Sequence, residues 1–402
     1  MGPPKRKLFF PHLQKTAGAT VTGSIANRFA EPECLLLYYS PEPDVSDLEP
    51  YRYVSGHVTL SFADRFTERP FVFTFLRDPV ERALSAYSFY RTRPPEFEKQ
   101  LLLFGRGPDA YARAGECLRL ARECSLEELI ERAPGIAAEY FGSRQARVLA
   151  DADPEGGDEA LEDALDGLER CDFVGLSEWL DESMTQLTGR LGWRPLSPLP
   201  RINVTRDRLR REQVSSGAME ALRELTAVDR ELYRRGVARY ERQLAEWGHD
   251  PKSDPSVAVA DPEPVADLPF DRPIPGGGWV GREQDADGAS FCWIGGTSSA
   301  WVELEAERGA NALEVEVAHA VHPSILEDIH LSVDGSRVPH SFAESRGRVV
   351  AAAPLRRRRL ASRRVRVTIE TDRTLRPCDL DPASSDDREL SVAVSRVALR
   401  RR

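Results

Sequence analysis

Two hydrophobic rhythms divide this chain. As far as Trp247, short unbroken apolar runs alternate with longer stretches whose apolar residues recur every three or four positions. Leu8-Phe9-Phe10, Leu35–Tyr39, Tyr53–His57, Phe71–Leu76 and Phe173–Leu176 read as strands. Phe71–Leu76 is almost wholly apolar, the pattern of a central parallel strand. Val21–Phe29, Ser125–Ala133, Ile136–Ala150, Glu159–Cys171, Trp179–Leu191 and Ser215–Trp247 read as helical. Another helix is signalled at Asp78, which suits an N-cap, with Pro79 at the first helical position and Glu81 placed to complete a capping box. Val80, Ala83, Leu84 and Tyr87 form its apolar stripe. Strands alternating with helices predict an α/β domain, a mostly parallel sheet flanked by helices. Its ligands belong beyond the carboxyl ends of the strands, where the Lys15, His57 and Arg77 regions lie.

The second rhythm is a period of two. After Gly276-Gly277-Gly278, runs such as Ala300–Leu304, Ala312–Val317, Ile329–Val333, Arg364–Ile369 and Leu390–Val394 alternate apolar and polar residues, with turns such as Asp334-Gly335 between them. That predicts an all-β sandwich over 276–402. Between the rhythms, 249–275 is rich in Pro, Asp and Ala and reads as an extended linker. The expected layout is an α/β domain over 1–248, the linker, and the sandwich as an accessory domain. Truncation near Asp261 is then expected to leave a folded amino-terminal half.

Composition narrows the function classes. The 402 residues carry a net charge of −10, which disfavours general attraction to nucleic acid or membranes. Cys34, Cys117, Cys124, Cys171, Cys292 and Cys378 are scattered, without a CxxC pair or a histidine at zinc-ligand spacing, and read as reduced thiols. No apolar run is long enough for a signal-peptide core or a membrane span. A soluble, cytoplasmic protein without a metal centre is expected.

The chemistry concentrates in two segments. Lys15-Thr16-Ala17-Gly18-Ala19-Thr20 joins the first strand to a helix. Small residues let the backbone approach an anion, the helix start presents free N–H groups, and Lys15 adds a point charge. No glycine precedes Lys15 in the Walker positions, which disfavours an ordinary nucleoside-triphosphate site. In the second segment Arg77 leaves the end of the strongest strand. Ser85 lies two helical turns beyond Asp78 on the same side of that helix, so an arginine fork and a hydroxyl are placed to hold a second phosphate. The plainer alternative pairs Arg77 with Asp78 or Glu81 and leaves Ser85 as a packing residue.

Together the segments resemble a known family. His12-Leu13-Gln14-Lys15-Thr16-Ala17-Gly18-Ala19-Thr20 resembles the 5′-phosphosulfate loop of sulfotransferases, usually His-x-Pro-Lys-Thr-Gly-Gly-Thr-Ser. Leu76-Arg77-Asp78-Pro79-Val80-Glu81-Arg82-Ala83-Leu84-Ser85-Ala86-Tyr87 resembles their 3′-phosphate motif. The likeness covers roughly residues 7–245 and points to the branch with heparan sulfate 2-O-sulfotransferase and many bacterial carbohydrate sulfotransferases. It implies a P-loop-like fold and the donor 3′-phosphoadenosine 5′-phosphosulfate (PAPS). Lys15, Thr16, Ala17, Gly18, Ala19 and Thr20 would hold the 5′-phosphosulfate, and Arg77 and Ser85 the 3′-phosphate. The loop departs from the pattern at Gln14, Ala17 and Ala19. If position 17 needs a positive φ, an alanine there is strained.

Sulfonate transfer to a hydroxyl needs a base, a cation at the leaving phosphate and an in-line geometry. Lys15 is the cation. His57, in Ser55-Gly56-His57, resembles the Gly-His of the 2-O-sulfotransferase branch, where the histidine is the base. That branch often reads His-Gly-His, and Ser55 replaces the first histidine, so help from a second imidazole is not expected. Glu31, Glu33 and Glu81 are alternative bases. Gln145 and Arg147, within Ser143–Arg147, resemble a family stretch near the acceptor, with a solvated helix face as the alternative. Asn203, Thr205 and Arg206 resemble a segment that closes over the nucleotide. Trp279, Trp293 and Trp301 read either as a sugar-stacking platform or as sandwich core, and Arg356–Arg359 with Arg363-Arg364 as a glycan-attracting run or a solvated loop.

The resulting expectation is a PAPS-dependent carbohydrate O-sulfotransferase acting on a hydroxyl acceptor. The rival readings are a phosphoryl-transfer enzyme of similar fold and a glycan-binding scaffold whose catalytic half has decayed.

Overall fold

The computed structural model describes residues 6–37, 45, 47–93, 97, 108–150, 158–202, 208–248, 252–257, 260–345, 348–355, 364–381, 383–384 and 386–401. The chain divides into two compact units. One comprises Met1–Gly18, Leu35–Leu191 and Thr205–Val259, and the other Ala19–Cys34, Gly192–Val204 and Ala260–Arg402.

The first unit is built on a five-stranded sheet. Its strands are β1 (Leu8–Pro11), β2 (Cys34–Leu37), β3 (Tyr53–Gly56), β4 (Phe71–Leu76) and β5 (Phe173–Leu176), in the order β2-β3-β1-β4-β5. β1 pairs in parallel with β3 and β4, and β4 with β5. All six residues of β4 are buried, as a strand covered on both faces requires. Phe10 and Phe73 stack 4.9 Å apart across the β1–β4 pair. The strand order turns at β1, so the carboxyl ends of β1, β3 and β4 meet at the point where such sheets bind ligands.

Helix α1 (Gly18–Ala26) follows β1 directly, and α2 (Pro79–Thr92) follows β4. Asp78 caps α2 as expected, accepting from the Glu81 N–H at 3.0 Å. The capping box is not closed, because the Asp78 N–H donates to Glu178 instead. α3 (Pro108–Glu123) and α4 (Leu126–Arg132) lead into two helices where the sequence predicted one. Gly142, in an extended conformation, separates α5 (Pro134–Phe141) from α6 (Arg144–Ala150). After α7 (Asp158–Arg170) and α8 (Leu180–Arg190), Thr226 likewise divides α9 (Ser216–Leu225) from α10 (Ala227–Trp247).

The second unit holds two antiparallel sheets around one apolar core. Its strands begin with β6 (Asp267–Pro269), β7 (Gly276–Gly277), β8 (Glu283–Gln284), β9 (Ser290–Gly295), β10 (Ser299–Glu305) and β11 (Ala312–Ala320). They continue with β12 (Ile329–Val333), β13 (Ser336–Val338), β14 (Ser341–Ser345), β15 (Arg348–Pro354), β16 (Arg364–Thr371) and β17 (Leu390–Arg400). One sheet runs β13-β12-β16-β10-β7, and the other β14-β15-β11-β17-β9-β8 with β6 added on β17. Asp334 and Gly335 both take positive φ, as the two-residue turn between β12 and β13 requires. Trp279 and Trp301 are core residues, and the Trp279 indole N–H donates to the Trp301 carbonyl at 2.9 Å. Both are too deeply buried to stack on a sugar, while Trp293 is half-buried. Arg356–Arg359 and Arg363 lie outside the described residues.

The expected linker, 249–275, is corrected in its described parts. In the first unit the Asp254 N–H donates to the Arg190 carbonyl at 2.7 Å, and Ser256 accepts from the Arg6 N–H at 2.9 Å. In the second, Asp261 pairs with Arg28 and Arg194, Leu268 sits in β6, and Phe270 is fully buried. Asp261 of the expected linker is thus an ion-pair partner of two arginines distant in sequence. The second unit also includes α1 from Ala19 onward. Ile274 donates to the Asn27 carbonyl at 2.8 Å, and the Asn27 amide donates to the Val280 carbonyl at 3.1 Å.

Candidate functional site

β1 ends at Pro11, and the chain turns through His12–Ala17 into α1. Lys15 and Ala17 take φ of 70° and 64°, left-handed values that cost a side chain about 1–2 kcal/mol. Position 17 therefore does need positive φ, and alanine adopts it. Left-handed residues flanking Thr16 give the backbone pattern of loops that gather N–H groups around an anion. Thr16 is fully buried, and its hydroxyl donates to the Leu13 carbonyl at 2.7 Å. Gly18 is required by space, since a Cβ there would lie 1.7 Å from the His12 Nε2. Ala19 and Thr20 complete the first turn of α1, and the Thr20 hydroxyl donates to the Pro200 carbonyl at 3.0 Å.

The two sequence segments meet. The Arg77 guanidinium donates to the Lys15 carbonyl at 2.8 Å across 62 residues of sequence. The Lys15 ammonium lies 4.3 Å from the centroid of the Phe89 ring on α2. Ser85, on the same helix, is buried at 7% exposure. Burial lowers the Arg77 pKa, with neighbouring Arg208 adding to the effect and Glu178, Glu81 and Asp78 opposing it.

Arg77 is held from behind by residues the sequence placed elsewhere. Gln145 is 1% exposed, accepts from the Arg77 N–H at 2.9 Å and donates to the Arg77 carbonyl at 2.9 Å. Its amide grips backbone, which corrects both the expected acceptor contact and the solvated-face alternative. Behind it the fully buried Asp229 accepts from the N–H groups of Gln145 (3.1 Å) and Ala146 (2.7 Å). Asp229 stands 4.0 Å from the buried Arg82, which donates to the carbonyls of Phe141 and Gly142 at 2.7 and 2.8 Å. Burial raises the Asp229 pKa against the pull of Arg82, and brings Arg82 down to about 10. Arg147 is partly buried on the same helix.

His57 follows β3 and is partly exposed. The register pairs Pro11 with Gly56, so the next residues, His12 and His57, stand side by side with ring centroids 4.7 Å apart. Burial, then His57 and Lys15, lower the His12 pKa well below the usual imidazole value. Ser55 is fully buried within β3. A second imidazole thus stands beside His57, contributed by His12 in the loop that follows the neighbouring strand β1. Only a register, which no local pattern shows, could have revealed it.

The alternative bases are engaged elsewhere. The Glu81 carboxylate pairs with Arg208 and Arg211, and Arg211 also pairs with Asp78. Glu31 accepts from the Gln284 amide at 2.8 Å, and Glu33 from the Ala30 N–H at 3.0 Å. Asn203, Thr205 and Arg206 lie outside the described residues. Among the described residues no group of three or more His, Cys, Asp or Glu is placed to hold a metal ion, and no helix is long and apolar enough to cross a membrane.

No protein-family model and no curated protein matches the chain. Among solved structures it is similar to a family GH115 4-O-methyl-α-glucuronidase with specificity for decorated arabinogalactans. The identity is 13% and the TM-score 0.20, over 79% of this chain and 38% of that one. The chain thus spans well under half of that protein's length, and a likeness at this level carries no argument about fold or activity.

Proposed function

We propose that this protein is a sulfotransferase of P-loop-like fold that transfers sulfonate from 3′-phosphoadenosine 5′-phosphosulfate to a hydroxyl of a carbohydrate acceptor. The observation that carries the reading is the bond from Arg77 to the Lys15 carbonyl. It joins the two segments that resemble the family's 5′- and 3′-phosphate motifs at the carboxyl ends of adjacent parallel strands.

The roles follow from chemistry at those positions. Lys15 to Gly18, with Ala19 and Thr20, would surround the 5′-phosphosulfate, and Arg77 and Ser85 the 3′-phosphate. His57 takes the proton of the acceptor hydroxyl as its oxygen bonds to sulfur. The bond from sulfur to the phosphate oxygen breaks, and its electron pair stays on the phosphate. Lys15 stabilises that charge. Gln145 and Asp229 fix the backbone from which Arg77 reaches out.

Calorimetry with 3′,5′-bisphosphoadenosine beside ATP tests the reading. Tight binding of the bisphosphate and weak binding of ATP is the expected result. Preference for ATP would favour phosphoryl transfer, and binding of neither would favour a scaffold.

A further inference from the structure

We propose that His12 is a positioning residue for His57, its ring forming a fixed wall that holds the neighbouring imidazole in its working orientation. The proposal rests on the sulfotransferase reading for its catalytic meaning, while the ring contact is a property of the chain alone.

The wall is rigid. The His12 N–H donates to the Gly56 carbonyl at 2.8 Å, and the ring stacks on Phe10 at 5.5 Å. Its far edge is closed by Gly18, where even a methyl group would overlap the imidazole. His12 is 7% exposed, whereas His57 stands at the opening beside it, tilted 42° against its ring. A histidine base acts through the lone pair of one ring nitrogen, and an imidazole free to turn presents the wrong edge part of the time. A misplacement of about 1 Å at such a group costs up to about a hundredfold in rate.

The wall also stays out of the proton's way. Among the described residues, His57, from the end of β3, and Lys15, from the loop, join burial in opposing a proton on His12. His12 is thus disfavoured as a proton carrier, and its part beside His57 is to hold the ring in place. Ser55, buried in the middle of β3, leaves no place for a wall on the same strand.

The test uses the full chain with His12→Ala and His12→Phe. Three quantities are read: the NMR order parameter of the His57 ring, assigned by its loss in His57→Ala; the affinity for 3′,5′-bisphosphoadenosine; and consumption of labelled donor with water as acceptor. In His12→Ala, ring order should fall and donor consumption drop by about 10–100-fold, with bisphosphate affinity held within about twofold. His12→Phe keeps a ring and should recover most of both losses. Unchanged His57 order in His12→Ala overturns the proposal. So does a loss of bisphosphate affinity matching the loss of turnover, or a phenylalanine no better than alanine. If His12→Ala does not fold, the wild-type chain decides: the His57 ring should be nearly as ordered as the backbone that carries it, and a freely turning ring overturns the proposal. A chain that binds no bisphosphate defeats the sulfotransferase reading, while ring order still judges the contact.

Discussion

Ala17 shows how closely single residues define this site. It holds a left-handed φ of 64° that a glycine would take without strain, and Lys15 does the same at 70°. Two strained residues persist only where the surroundings over-determine them, and such positions cluster at ligand-binding loops. Arg77 is the residue on which donor binding should depend most. Arg77→Ala should weaken 3′,5′-bisphosphoadenosine by about 2–4 kcal/mol, and Ser85→Ala by about 1 kcal/mol, because a charged fork is worth more than one hydroxyl. Calorimetry checks both, and undiminished affinity in Arg77→Ala rejects the assignment. His57→Ala should lower donor turnover by about 10²–10⁴-fold with nucleotide affinity nearly unchanged. The acidic limb of the pH–rate profile should vanish with it, and an intact limb would shift suspicion to a carboxylate. His12 makes a separate prediction about stability. Burial holds its folded pKa well below the ordinary imidazole value of 6.5, so the unfolded chain binds the proton more readily. Its contribution is therefore fully present above 6.5 and is lost as pH falls below it, by up to about 1.4 kcal/mol per pH unit. Urea unfolding at neutral and mildly acid pH should show a steeper loss of stability toward acid in wild type than in His12→Phe, which keeps only the slope of other groups such as His340.

At the scale of elements, the site is a set of strand ends tied together from behind. α6 is only seven residues long, yet its first turn reaches both ways. Gln145 grips the backbone of Arg77, and its own N–H is held by Asp229 from α10. Gln145→Ala leaves a partly buried peptide donor and acceptor unmatched, so unfolding free energy should fall by about 1–3 kcal/mol. Bisphosphate affinity should fall with it, because Arg77 is no longer fixed. A Gln145→Ala protein of wild-type stability would show that the grip is dispensable. Local signals gave much of this scaffold: β4, β5 and the Asp78 cap stand where apolar runs and capping chemistry put them. They gave less where a partner from another element intervened. Glu81 carries the capping-box residue type, but Arg208 and Arg211 hold its carboxylate while Glu178 takes the Asp78 N–H. The α5–α6 break was likewise hidden, because the apolar period continues through Gly142.

For the whole molecule, the assignment of chain segments to units changes an expectation. The second unit contains Ala19–Cys34 and Gly192–Val204 together with Ala260–Arg402. Arg28, 1% exposed at its side chain, depends on Asp261, and Asn27 on Ile274 and Val280. A chain ending at residue 259 would leave Arg28 and Asn27 without these partners. That fragment should not reach the native fold, contrary to what an extended linker implied. Limited proteolysis should find cleavage within 19–34 in the fragment and protection in the full chain. A fragment protected there and binding bisphosphate would restore the separable half. The sequence by itself determined the two structural classes and their order. A strand buried on both faces, a capped helix and a half-exposed strand each leave a local periodic trace, and hydrophobic burial acts on every residue. It also determined the residue types of the candidate site, since anion loops and arginine forks require particular side chains. Only the tertiary structure decided which residues meet: His12 beside His57, Gln145 on Arg77, Asp261 on Arg28, and α1 with the second unit. Those pairings arise from sheet register and from ion pairs between distant segments. Neither leaves a periodic signal along the chain, because each is set by the closing of contacts rather than by the preference of any single stretch.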